Sequence, residues 1–272
     1  MKVALRVVAG AALLVLVLWY VDPRTLARSL SGVNPWLFAA AVGVAILSNV
    51  FSAVRWSAIV HRLQLQASLQ QVLVMYARAV TANMMLPGSV VSGDVLRSYQ
   101  LSRIGGNPLT TSAWSVFLDR FSGLWVLCAM SALGAMWLGF WGYAALLAAA
   151  FVAPLLPIPL PRNLQTGRPI LVWSAWYSCV VQLLAAGTLW ICAQSIGLSV
   201  SYGVMVAAAA PIFIMAALPI GVAGFGAREA AAVVVLGYVG IAPDQAFAVG
   251  LLYGLAAVAQ GILAAPLFLA KA

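Results

Sequence analysis

Seven charged or chemically active positions lie inside or beside strongly apolar stretches: Arg78, Asp94, Arg97, Asp119, Arg120, Arg228 and Glu229. An Asp or Arg at the centre of a membrane helix costs roughly 2.5–3.5 kcal/mol on the insertion scale, so each needs a physical reason to be there. Arg228 follows a glycine-rich break, Gly224-Phe225-Gly226-Ala227, and would open the helix after it. Exposed backbone N–H groups, the positive end of that helix and a guanidinium would then converge, an arrangement suited to a phosphate. Arg97 holds the matching place after an earlier break, with Asp94 one turn before it. The competing reading is internal pairing, with Asp94, Asp119 and Glu229 neutralising the arginines and Arg78 reaching along the chain toward water. Asn83, just before the first break, either caps freed backbone or touches substrate. Arg55-Trp56 and His61-Arg62 close an apolar stretch and read as an interfacial belt.

Enzyme chemistry finds few parts. His61 is the only histidine, so neither a histidine-based triad nor a histidine-rich metal site can be assembled. No Gly-x-x-x-x-Gly-Lys phosphate loop occurs, and ATP would have to come from a partner. Cys128, Cys179 and Cys192 lie in apolar runs without metal-ligand spacing and read as free thiols. No metal, cofactor or catalytic residue is expected. Asp22 resembles an outward catalytic carboxylate but stands beside Pro23 and Arg24, where it reads as a helix-ending turn.

The elements that must position these residues are membrane helices. Of 272 residues, 65% are hydrophobic and 7% charged, against about 25% charged in soluble domains. The net charge of +9 is scattered singly between apolar segments, as for anchors at anionic lipid surfaces rather than a clustered nucleic-acid face. Apolar stretches fall at about 3–21, 35–54, 109–139, 141–160, 169–196 and 244–270, each near the roughly 20 residues that a spanning helix needs. The first, after Lys2 and Arg6, ends at Val21-Asp22-Pro23 without a small-x-small cleavage site, and reads as an uncleaved helix.

Two regions differ. Residues 68–103 and 200–240 each begin as a helix and then break, at Leu86-Pro87-Gly88 running on to Gly93, and at Leu218-Pro219 running on to Gly224 and Gly226. Proline removes a backbone donor and glycine accepts unusual dihedrals. In lipid such a break is tolerable only where protein or a water-filled cavity satisfies the backbone. If both regions turn back rather than span, nine basic residues fall inside and two, Arg24 and Arg28, outside; if both span, five stand against six. The positive-inside rule favours re-entry.

Re-entry exposes a repeat. Residues 1–139 and 140–272 each read helix, helix, broken hairpin, helix, with Pro87 and Pro219 132 residues apart and Arg97 and Arg228 131 apart. Because one unit starts inside and the other outside, the halves would be inverted, a recurring transporter plan. The expected fold is therefore an all-α integral membrane protein, 1–272 as one transmembrane domain, with about six spanning helices and two broken re-entrant hairpins.

Taken in order, Arg55-Trp56, Leu86-Pro87-Gly88 with Gly93-Asp94 and Arg97, Asp119-Arg120 with Gly123, and Leu218-Pro219 through Gly224, Gly226, Arg228 and Glu229 resemble the lysylphosphatidylglycerol synthase transmembrane-region family. Two departures are conservative: Ser92-Gly93-Asp94 where the family often has Gly-Gly-Asp, and Asp119-Arg120 where it has Glu-Arg. That family includes the flippase portion of the multiple peptide resistance factor, so the resemblance implies movement of an aminoacylated phospholipid between leaflets. The family's soluble aminoacyl-transferring part has no counterpart in these residues, and lipid synthesis is not carried over.

These readings lead to a flippase for a phosphate-bearing lipid: phospholipid, aminoacylated phospholipid, or polyprenyl- or hopanoid-linked lipid. Arg97, Arg228, Asp94, Asp119, Arg120, Glu229 and Asn83 are its candidate binding residues. The alternatives are an enzyme or enzyme subunit of polyprenyl, hopanoid or envelope-glycan synthesis, and a non-catalytic partner of an envelope enzyme. Covalently changed lipid would mark the enzyme, and unchanged lipid on the opposite leaflet the transporter. Partners are expected to be membrane lipids and possible envelope-biosynthesis enzymes, not nucleic acid. The location is the cytoplasmic (inner) membrane with both termini inside. A single cysteine at Gln165, in a background without the native three, should then resist a membrane-impermeant thiol reagent in intact cells; labelling from outside overturns this topology.

Overall fold

The computed structural model describes residues 23–85, 90–156, 162–218 and 224–269. Among these no strand occurs, and the chain is an all-α membrane protein. The helices are α1 Pro23–Ser31, α2 Pro35–Arg62, α3 Leu69–Met85, α4 Val90–Ser102, α5 Leu109–Trp137, α6 Trp141–Val152, α7 Arg162–Ser195, α8 Tyr202–Ala217, α9 Ala227–Gly237, α10 Pro243–Ala264 and α11 Pro266–Leu269. Among the described residues, four segments are long and apolar enough to cross a membrane: Pro35–Arg62, Leu109–Trp137, Gly167–Ser195 and Pro243–Ala264.

Local chemistry sets the boundaries. Asn34 accepts from the N–H groups of Trp36 and Leu37 at 3.0 and 3.2 Å, and Pro35 opens α2 where its missing donor costs nothing. Ser68 and Gln71 exchange backbone–side-chain bonds at the start of α3, a reciprocal cap. Asn107 ties the two neighbouring loops together: its Oδ1 accepts from Gln66 N–H, and its Nδ2 donates to the carbonyls of Gln66 and Leu101.

The span expected over 141–160 is shorter. α6 ends at Val152 and tightens into a 3-10 turn, Ala153–Leu155, where Pro154 cannot supply a helical donor. Conversely, the stretch expected to begin at 169 starts at Arg162, with Pro169 inside the helix, so much of the loop expected at 161–168 is helical. The region expected at 68–103 folds as α3 and α4, which pack on each other, and 200–240 as α8 and α9, which do the same. At 17, 13, 16 and 11 residues, none reaches the roughly 20 needed to span alone. The breaks at Pro87, Gly88 and Pro219 lie outside the described residues. Gly224 and Gly226 are described, with φ of 78° and 88°, left-handed values that suit glycine. Gly93 is not part of a break: it lies in α4, where a Cβ would sit 2.5 Å from the Ala79 carbonyl oxygen, so glycine is required for the close approach of α3 and α4.

Packing follows an exchange pattern. The most extensive interface joins α2 and α7. α5 packs against α2, α4, α6, α7 and α8, and α10 against α7, α9, α1, α2 and α3. α2 meets α3 as α7 meets α8. Substituting α6–α10 for α1–α5, and the reverse, turns each of these packings into another of the set. Small residues allow the approach: Ser48 Oγ donates to the Val181 carbonyl across α2–α7, and Ser131 Oγ to Val206 across α5–α8.

Candidate functional site

A chain of charged side chains runs through the packing of α2, α4 and α5. Asp119, fully buried and eleven residues into α5, receives Arg55 Nε from α2 and Arg97 Nη1 from α4, each at 2.9 Å. Arg97 Nη2 also donates to Asp94 Oδ1 at 2.9 Å, one turn earlier on α4. Arg120 then grips both oxygens of Asp94, Nε at 3.0 Å from each and Nη2 at 2.9 Å from Oδ1. Three guanidinium groups thus share two carboxylates, leaving one positive charge in excess.

Packing holds this network in place. The Arg97 guanidinium lies 4.8 Å from the ring centroids of both Trp56 and Tyr76. Trp56 Nε1 donates to Ser115 Oγ, and Arg55 Nη1 to Ser178 Oγ, both at 3.1 Å. Gly123, one turn after Asp119, leaves room for Arg55, whose Nη1 would lie 3.1 Å from a Cβ there. Asn83 Oδ1 accepts the Gly93 N–H at 2.8 Å, satisfying a first-turn donor of α4. Capping is therefore the role its geometry shows.

At one end the network opens. Arg97 and Arg120 line a cavity of about 170 Å³ together with Asn49, Asn83, Thr188 and Gln260, which come from α2, α3, α7 and α10. Arg120 is 39% exposed and Asp94 23%, whereas Arg97 and Asp119 are fully enclosed.

Arg228 and Glu229 are placed differently from the expectation of a phosphate site shared with Arg97. Arg228 Nε donates to the Gly250 carbonyl at 3.0 Å and Nη2 to Glu229 Oε1 at 3.0 Å, while Glu229 Oε2 accepts the Gly226 N–H. The pair closes on itself at the start of α9, beneath Phe225 and Tyr253, and neither member lines the cavity. A Cβ at Gly254 would stand 2.0 Å from Arg228 Nη2, so glycine makes the space for that guanidinium. Arg78 donates from Nε to the Leu267 carbonyl.

Arg55-Trp56 is the residue pair that the sequence misassigned. Rather than forming an interfacial belt, the two side chains are 4% and 0% exposed, and Arg55 is a full member of the network. The stripe Ser48, Ser52, Arg55, polar at helical spacing, is the signal that marks a buried face.

Long apolar helices with charge built into their shared interior define the class: a multi-pass membrane protein with an intramembrane polar site. The chain belongs to the lysylphosphatidylglycerol synthase TM region family, whose model matches residues 3–166 and 160–265, as the ordered motifs led one to expect. A comparison with curated proteins finds no match. Membership sets the protein in a membrane-lipid context.

Removing Asp119 should expose what the network contributes. Asp119→Asn leaves Arg55 and Arg97 facing a neutral amide, a change that destabilises by about 3–5 kcal/mol when a buried ion pair is broken. Thermal unfolding in detergent should show a large drop for Asp119→Asn and a small one for the part-exposed Arg120→Ala. Equal unfolding temperatures for all three proteins would contradict a structural role.

Proposed function

We propose that this protein is a translocase that moves a phosphate-bearing lipid between leaflets without ATP hydrolysis of its own. The observation that carries the reading is the cationic network opening, through the part-exposed Arg120, onto a polar cavity between helices that Arg97 also borders. Inside a low-dielectric bundle one uncompensated positive charge attracts an anion far more strongly than in water. Guanidinium donors match phosphate oxygens in geometry as well as charge. The lipid is a phospholipid, an aminoacylated phospholipid, or a polyprenyl- or hopanoid-linked lipid.

Transport needs two faces, and the exchange pattern of the helices supports a plan that supplies them. The halves 1–139 and 140–272 form an inverted repeat in the cytoplasmic membrane, both termini inside. The pairs α3–α4 and α8–α9 re-enter from opposite sides, so that access alternates around the site. An enzyme reading finds less support, because Asp94 and Asp119 each have guanidinium groups on their carboxylate oxygens and offer little to take a substrate proton.

Reconstitution into liposomes with tail-labelled phospholipids and polyprenyl phosphates tests the proposal. Wild-type protein should move at least one of them. Arg120→Ala should be slower by about 10- to 100-fold, as losing a charge-assisted contact removes roughly 1.5–3 kcal/mol. Arg97→Lys should retain only part of the rate, since it keeps charge but loses the planar fork. Folded protein that moves none of these lipids would sink the idea.

A further inference from the structure

A second, smaller space adjoins the cationic cavity. It is a cleft of about 110 Å³ whose walls are Ile46, Val50, Ala53, Leu73, Ala77 and Ala264, from α2, α3 and α10. Four residues, Asn49, Tyr76, Val80 and Gln260, line both spaces. Between them Asn49 Nδ2 donates to Gln260 Oε1, joining α2 to α10. One side of this hydrogen bond is cationic and polar; the other is apolar and reaches the lipid-facing surface, where Ile46 is 38% and Val50 42% exposed.

We propose that the apolar cleft receives the hydrocarbon chain next to the headgroup of an anionic lipid, and that the Asn49–Gln260 hydrogen bond is the partition its headgroup parts on entering the cationic cavity. The inference rests on the translocase reading and adds where the lipid enters and how it lies. Its volume is well below the about 300–1,000 Å³ of enclosed ligand pockets, so only the stretch of chain nearest the headgroup is held and the remainder stays in the bilayer.

One observation argues for an amphiphile rather than a free anion. Polarity divides at the partition in the order a lipid needs, phosphate-binding groups inward and aliphatic groups toward the membrane. Partition residues with neutral amides suit this passage: they bond to each other when the site is empty and can donate to a passing phosphate, whereas a charged gate would trap or repel it.

The test uses full-length protein in which Cys128, Cys179 and Cys192 are replaced, with Ile46→Cys lining the cleft or Ile262→Cys on the outer, 68% exposed face of α10. Each is labelled in detergent with a bulky maleimide, reconstituted into phosphatidylcholine vesicles carrying a tail-labelled phosphatidylglycerol, and compared with its own unlabelled form. The adduct at Ile46→Cys should abolish most transport, and the adduct at Ile262→Cys should not. Val50→Cys replaces Ile46→Cys should the latter not fold. Undiminished transport with the cleft labelled overturns the entry route while the translocase reading stands. If unlabelled and wild-type proteins move no lipid at all, the translocase reading falls and this inference with it.

Discussion

Asp119 is an anion that the surrounding helices could not tolerate alone, and much of the fold can be understood from how it is satisfied. Its two oxygens take one guanidinium from α2 and one from α4, so α2, α4 and α5 are fixed in register by one carboxylate. Burying these ions is expensive, and their mutual attraction offsets that cost only where geometry is good and the remaining donors are bonded. Ser178 takes a further donor of Arg55, the Trp56 and Tyr76 rings flank Arg97, and Gly123 leaves room for Arg55, while Arg97 Nε–H finds no acceptor among the described residues. Such a network adds little net stability compared with an apolar core, yet it penalises any slip of α2 or α4 along α5.

The two halves solve similar packing problems with different charge. In the first, an arginine of the short helix α4 reaches a carboxylate on α5, and the surplus positive charge is carried to a cavity. In the second, Arg228 of α9 finds a glycine carbonyl on α10 and closes on its own neighbour Glu229. Gly123 and Gly254 make room for arginines in the respective halves. Similar packing with unlike charge gives one open ionic site and one sealed one. On the proposed reading, that asymmetry directs a ligand to the first half.

Much of this was legible in the sequence. Charged residues in apolar runs name Asp94, Arg97, Asp119 and Arg120 because lipid makes isolated charge so costly, and the expectation that regions 68–103 and 200–240 each comprise two short helices matches α3 with α4 and α8 with α9. Arg55 was not recognised. An Arg-Trp pair near a helix end looks the same whether it faces headgroups or a carboxylate 64 residues away in sequence, and the difference lies in a tertiary partner. Arg228 differs for a related reason: matching positions after two helix-breaking stretches do not imply a shared site, and the adjacent Glu229 is its counterion. Gly93 looked like a helix breaker, whereas its missing Cβ serves the contact with Ala79, which composition cannot distinguish.

On the proposed reading, surplus positive charge in the bundle selects lipids by their phosphate. The most direct test is a comparison of transport rates, in the same proteoliposomes, for a tail-labelled anionic phospholipid and an uncharged glycolipid with the same chains. The account predicts that the phospholipid moves and the glycolipid stays essentially in its original leaflet. Equal rates for the two lipids would contradict it.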